Sequence, residues 1–267
     1  MKVDFYKPKS NILKEHIAGY YFVSEDRNSA PTSYLTFPNN YCILSIYQNA
    51  EEVFSKNRYT ITTSKEDIIV SSLFSRYSKP IEIIYENLVN EITIYFNPIK
   101  INHFIENPKI FEKSQISDFV PFPDFKEKME LIFNQFGRDE QIELLEDYLL
   151  SKFVKKDLSI VEQILADIDA GLKLEEISGK CTFTRQHINK IFSKYVGKTP
   201  SEYKKVQRFR NALISKKISA NLTDLSNDSL YFDQSHFIRH FKQLTDKKPS
   251  DFFKKVEIDK GNIWLYL

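Results

Sequence analysis

Two short runs of side chains carry the chemistry that is easiest to name. Gln186, Asn189 and Lys190 recur at helical spacing, and Gln234, Ser235 and Arg239 form a second set. Amides, a hydroxyl and a guanidinium on one helix face are the groups that read base edges in the major groove of DNA. A guanidinium forks onto guanine and a carboxamide onto adenine, so Arg239 suits a guanine, and Gln186 or Gln234 an adenine. Thr184, Arg185, Lys194 and Lys242 flank these faces and suit phosphate oxygens, which add affinity without sequence information. Other chemistries find less support. His236 and His240 stand four apart, as on a zinc-binding helix, yet no Glu follows His236 and no Cys pair lies nearby. Cys42 and Cys181 read as small core residues rather than nucleophiles. Six glycines in 267 residues supply no phosphate-cradling loop, and no GxSxG or paired-carboxylate arrangement is visible. The expectation is a non-enzyme with no catalytic set, no metal and no cofactor.

The elements that must position these groups follow from apolar spacing. Asp233 stands where an N-cap would, and Phe237, Phe241 and Leu244 fall at i, i+4, i+7, one buried stripe. The same pattern occurs 49 residues upstream, where Gln186-His187-Ile188-Asn189-Lys190-Ile191-Phe192 matches Ser235-His236-Phe237-Ile238-Arg239-His240-Phe241. Pro200-Ser201-Glu202-Tyr203 likewise corresponds to Pro249-Ser250-Asp251-Phe252, and Leu174-Glu175-Glu176-Ile177 to Leu222-Thr223-Asp224-Leu225 with one residue of slippage. A period near fifty with two helices per copy describes a duplicated helix–turn–helix. Leu174 to about Gly179 and Thr184 to Tyr195 make the first unit, with Ile188, Ile191, Phe192 and Tyr195 inward. Pro200 opens a long helix to Lys217 that buries Tyr203, Val206, Phe209 and Leu213 and bridges the two units. Ahead of them, Ser159 is expected to cap a helix ended by Gly171.

The segment from about Ser159 to Val256 resembles the DNA-binding domain of AraC/XylS-type transcription regulators. The resemblance rests on Tyr231, Asp233-Gln234-Ser235-His236-Phe237, Arg239, Phe241-Lys242 and Pro249-Ser250-Asp251-Phe252, with Gly197, Pro200, Glu202-Tyr203, Arg208 and Ala212 in the linking helix. It departs at Thr182 and Leu230, where the family usually has the glycine of each turn, and at Ser178 and Ser226, which replace an alanine. The resemblance implies promoter DNA and RNA polymerase as partners, and activation more often than repression.

Charge is unevenly spread. From Ser151 to Lys260 there are 22 Lys/Arg against 14 Asp/Glu, a net of +8, which leaves 16 against 22, a net of −6, for the remainder. A basic C-terminal half beside an acidic N-terminal half fits a nucleic-acid binder with a separate sensing or interaction domain. No apolar leader or run of about 18 apolar residues is present, and two distant cysteines fit a reduced compartment, so the expectation is a cytoplasmic bacterial protein without a membrane contact.

The N-terminal half alternates β-branched and aromatic runs with turn residues such as Pro38-Asn39-Asn40 and Lys79-Pro80. Strands are expected over 20–23, 34–37, 42–47, 59–62, 67–70, 81–85 and 91–96, which suggests a small antiparallel barrel or sandwich. This is similar to the cupin-like sensor domain that many AraC-type regulators carry. Glu91, Thr93 and Tyr95 alternate with Ile92, Ile94 and Phe96, so one face is solvated or lines a cavity. Pro98 opens a short helix. Phe125 to Phe136 and Gln141 to Phe153 then read as amphipathic helices around Gly137, and the Ile142-Leu145-Leu149-Phe153 seam packs on the barrel or forms a dimer interface. The fold class is thus α+β, divided as 1–154 sensor or dimerisation domain, 155–260 double helix–turn–helix domain, and 261–267 apolar tail. Packing of that tail back on another domain is one account of it.

The residues point to a sequence-specific transcription factor whose N-terminal domain senses a small-molecule effector or mediates homodimerisation. A regulator governed by a protein partner alone is one alternative, and an enzyme with a DNA-binding adaptor is another.

Overall fold

The computed structural model describes residues 3–106, 108–215, 234–254, 256–258 and 264–266. Its strands are β1 (Asp4–Tyr6), β2 (Ile17–Val23), β3 (Thr32–Thr36), β4 (Cys42–Gln48), β5 (Ala50–Ser55), β6 (Arg58–Thr63), β7 (Ile69–Phe74), β8 (Ile81–Tyr85), β9 (Asn90–Phe96), β10 (Gln115–Ile116), β11 (Val256–Ile258) and β12 (Trp264–Tyr266). They form two six-stranded sheets, ordered β1-β2-β9-β4-β7-β10 and β11-β12-β3-β8-β6-β5. The expected sandwich or barrel of mainly antiparallel strands is present. One pair differs: β6 and β8 run parallel. The reason is the path of the chain, because β7 crosses to the opposite sheet and the chain then returns to lie beside β6 in the same direction.

Period-two alternation settles what each face of the first sheet does. Ile92, Ile94 and Phe96 of β9 join Leu44 and Ile46 of β4 in a core covered by the helices α2 (Phe125–Phe133) and α3 (Arg138–Lys152). The Ile142-Leu145-Leu149 seam is buried there, and Phe153 packs against it, so these side chains serve the core of the β-rich part. Glu146, on the same helix, is buried and accepts hydrogen bonds from Lys9 N at 2.7 Å, Ser10 N at 2.8 Å and Tyr20 Oη at 2.5 Å. It thereby fixes the start of helix α1 (Asn11–His16). After β9 the short helix expected from Pro98 is a 3-10 helix at Lys100–His103, which begins after left-handed Ile99 at φ 67°, and a second 3-10 helix follows at Pro108–Phe111.

The helical part comprises α4 (Ser159–Asp169), α5 (Leu174–Cys181), α6 (Arg185–Val196), α7 (Pro200–Ser215), α8 (Gln234–Thr245) and α9 (Pro249–Phe252). Ser159 is the first residue of its helix, not its cap. Asp157 Oδ1 takes the cap's role, accepting from Ser159 N at 3.1 Å and Ser159 Oγ at 2.7 Å. Helix α4 ends at Asp169, two residues before left-handed Gly171 at φ 90°. Two apolar clusters result. One joins α4, α5, α6 and the start of α7 through Ile164, Ile177, Ile188, Phe192 and Tyr203, and the other joins the rest of α7 to α8 and α9 through Phe209, Phe237, Phe241 and Phe252.

The β-rich and helical parts share contacts that a loose linker would not give. Phe37, which follows β3, is completely buried in the second helical cluster, 4.9 Å from Phe252 and 6.5 Å from Phe209 between ring centres. Arg210 of α7 reaches back, donating from Nη2 to Phe37 O at 2.6 Å and from Nε to Pro38 O at 2.9 Å. Lys198 is buried and donates to Ser75 O at 2.8 Å. Asn102 donates to Tyr195 O at 2.9 Å, and Arg76 meets the Glu202 carboxylate at 3.1 Å. Finally, β12 pairs with β11 and with β3, opposite Leu35, so the backbone of the apolar tail does return to the β-rich part.

Candidate DNA-binding interface

The local sequence explains how α6 is presented. Thr184 is extended and its hydroxyl accepts from His187 N at 3.2 Å, so the helix starts at Arg185. Ile188 and Phe192 are fully buried, which turns Gln186, Lys190 and Lys194 outward and leaves Asn189 half-buried at the margin. Helix α8 repeats this. Phe237, Phe241 and Leu244 are buried, while Gln234, Ser235, Arg239 and Lys242 are exposed. All ten residues expected to contact DNA therefore lie on the two recognition-type helices or at the cap of one, and nine of them are exposed. Arg185 is already paired with Glu175 of α5 at 2.6 Å.

The turn before α6 answers the question raised by its missing glycine. Thr182 occupies the left-handed region at φ 55°, where a branched side chain is strained. Ser178, standing where the AraC pattern has alanine, donates its hydroxyl to the carbonyl of Phe183 and ties the turn from within. In the second unit, Leu222 to Leu225, Ser226, Leu230, Tyr231 and Asp233 lie outside the described residues. So does the end of the bridging helix at Lys217.

Helix α7 carries both heads. Tyr203 packs on Phe192 of α6 at 5.6 Å, and Phe209 packs on Phe241 of α8 at 5.2 Å. Sixteen residues give this helix a length of about 24 Å, enough to hold two helix–turn–helix cores side by side. On α8, His236 and His240 lie against each other at 4.0 Å between ring centres. Burial, His236 and the nearby cations Lys205, Arg239 and Arg208 push His240 down to about 4, so its imidazole is neutral at pH 7.

Residues 177–255 match the family described as "Helix-turn-helix domain". The C-terminal unit is an AraC-type helix–turn–helix domain. No curated protein matches the chain by sequence. Among solved structures it is similar to ToxT from Vibrio cholerae at 15% identity, over 88% of this chain and 98% of that one, with a TM-score of 0.46. It is also similar to unsaturated fatty acid-bound ToxT from V. cholerae strain SCE256, at 12% identity over 87% and 94% of the two chains and a TM-score of 0.46. Helices α6 and α8 both fall within the matched residues.

The β-rich part has a second feature, which sequence left half-resolved. Glu91, Thr93 and Tyr95 lie on the inward face; Tyr95 lines a cavity of about 50 Å³ between the sheets, and Glu91 and Thr93 are buried behind its wall. Tyr21, Tyr34, Tyr47, Tyr59, Tyr85 and Tyr95 form much of its wall. Glu91 is buried and accepts from Tyr21 Oη at 2.8 Å, Tyr85 Oη at 2.5 Å and Thr93 Oγ1 at 2.7 Å. Burial raises its carboxyl above the usual range, and these three hydrogen bonds oppose the rise. Burial also raises the hydroxyls of Tyr21, Tyr47, Tyr85 and Tyr95 well above their ordinary value, so they stay neutral donors. Cys42 is buried with its thiol pushed up to about 12, which fits a core residue and not a nucleophile. No helix among the described residues is long and apolar enough to cross a membrane.

Proposed function

We propose that this protein is a sequence-specific transcription regulator that reads promoter DNA with α6 and α8 and senses a small molecule in its β-rich part. The observation that carries the DNA reading is the pair of exposed polar faces, Gln186/Asn189/Lys190 and Gln234/Ser235/Arg239, held on one bridging helix. Two such helices suit successive major-groove segments roughly 34 Å apart along one face of the duplex. Base contacts come from those six residues, and phosphate contacts from Thr184, Arg185, Lys194 and Lys242. Sequence bounds place the sensor in 1–154 and the DNA-binding domain in 155–260.

The cavity supports effector sensing, and the contacts around Phe37 supply a route from it to the DNA. Tyr77 lines the cavity and donates to Phe37 O at 2.9 Å, the carbonyl that Arg210 of α7 also holds. An effector that displaces Tyr77 changes the hold on α7, and so shifts the balance between arrangements of the two heads. RNA polymerase and a second copy of the chain are partners of this scheme, in a cytoplasmic setting. Selection of bound sequences from random DNA by the full-length chain tests it. Enrichment of a site with two contacted segments about one helical turn (roughly 10 bp) apart supports the scheme, and retention of all sequences alike refutes base reading.

A further inference from the structure

We propose that the tyrosine-walled cavity takes a compact organic cation, a protonated amine or a small quaternary ammonium ion, held by the rings and by Glu91. The proposal rests on the reading of the β-rich part as a sensor and names the class of its effector. Three observations point the same way. First, the residues that line the cavity include seven tyrosines and no Lys, Arg or His. Tyrosine rings attract cations through their negative faces, more strongly once water is excluded. Second, Glu91 lies behind this wall at 1% exposure, and none of the groups acting on it is a cation. Its three partners are neutral hydroxyls, two of them from the wall tyrosines Tyr21 and Tyr85. A buried carboxylate without a counter-charge is costly, and an arriving cation supplies that charge. Third, a second carboxylate, Glu52, accepts from the wall residue Tyr59 and from Ser72 Oγ at 2.7 Å.

The hydroxyls of Tyr21, Tyr59 and Tyr85 are thus committed to carboxylates, and what they leave to the cavity is ring surface and negative potential. An anionic effector meets repulsion there and finds no positive partner among the lining residues. Size narrows the class further. At about 10–15 Å³ of such space per water, the cavity holds roughly four water-sized groups, the bulk of an ammonium head with a short chain.

The test uses the full-length protein and isothermal titration with propylammonium, tetramethylammonium, propanol and butyrate. Saturable binding of either ammonium probe, with propanol and butyrate at least about tenfold weaker, is the expected result. Glu91→Gln should weaken the ammonium probe by about tenfold or more while leaving a folded chain by circular dichroism. Should that variant not fold, the charge series on the native protein still decides. Binding of butyrate, or equal binding of propanol, overturns the cation class while leaving a sensor in place. No binding of any ammonium probe at millimolar concentration overturns the proposal as well. Ammonium binding that leaves occupancy of the selected DNA unchanged upholds the site and refutes the sensor reading.

Discussion

Replacing Phe37 by alanine tests how the β-rich part and the DNA-binding helices are joined. The ring is wholly enclosed, and its neighbours Phe209 and Phe252 belong to the cluster beneath α8. Burying a phenylalanine covers about 150–250 Å², worth roughly 4–6 kcal/mol at 25 cal/mol/Å² as an upper bound. Core Phe→Ala changes cost about 3–5 kcal/mol, so a loss near 3–4 kcal/mol is expected for Phe37→Ala. For a chain of this length that is a fall in Tm of about 5–7 °C. Urea unfolding followed by circular dichroism gives the free energy, and a thermal scan gives Tm. A large loss alone does not show which part the ring supports, so a double-mutant cycle with Phe252→Ala is the decisive step. Direct contact predicts a coupling of about 0.5–3 kcal/mol between the two changes. Additive losses, or a Phe37→Ala loss below about 1 kcal/mol, refute a shared core.

Four further outcomes are expected. Arg239→Ala costs about 1–3 kcal/mol of DNA affinity and relaxes preference at one base pair, measured by titrating a panel of single-base operator variants; uniform weakening would reassign Arg239 to phosphate. Lys194→Ala weakens all sequences alike and lowers the slope of log affinity against log salt by about one, and an unchanged slope excludes a phosphate contact. Thr182→Gly relieves a left-handed branched residue and stabilises the chain by about 0.5–1 kcal/mol in urea unfolding, after the entropy cost of glycine. Burial pushes Lys198 down to about 8 from 10.5, so the folded state binds fewer protons than the unfolded state between those values. Stability relative to Lys198→Met therefore rises with pH across that window, by at most roughly 3 kcal/mol, and a flat difference would show that the amine is solvated.

The two recognition helices were legible because their signal is local. Phenylalanines four apart fix a buried stripe, and the polar face follows from it, as with Phe237/Phe241 and Arg239. The strands with β-branched or aromatic runs were legible for the same reason. Strand β5 was not, because Ala50-Glu51-Glu52-Val53-Phe54-Ser55 is largely polar and owes its conformation to pairing with β6. The two-residue β10 is likewise made by its partner β7. Glu91 illustrates a partial success: alternation placed it on one face, but only the return of β3 and β8 turned that face into a cavity wall. Least legible were Phe37 and Arg210. Phe37 reads as the last residue of an expected strand before a proline turn, and Arg210 reads as one more surface cation on a basic helix. Their roles depend on partners about 170 residues away, as in the Arg210–Phe37 hydrogen bond.

The pairing of β12 with β3 has a mechanical consequence. A body hung from a single tether can sweep a cone in every direction. The DNA-binding helices are instead fastened at several separated places: the covalent run ahead of α4, the contacts of Phe37, Lys198 and Asn102, and the pairing of β12 with β3. Fastenings this far apart resist one another's release, so no single contact sets the helices free to turn. A wider excursion must first unzip the hairpin from the sheet. The strand that would have to be unzipped lies opposite Leu35, between the cavity-lining residues Tyr34 and Thr36, so such an excursion would also disturb the cavity wall.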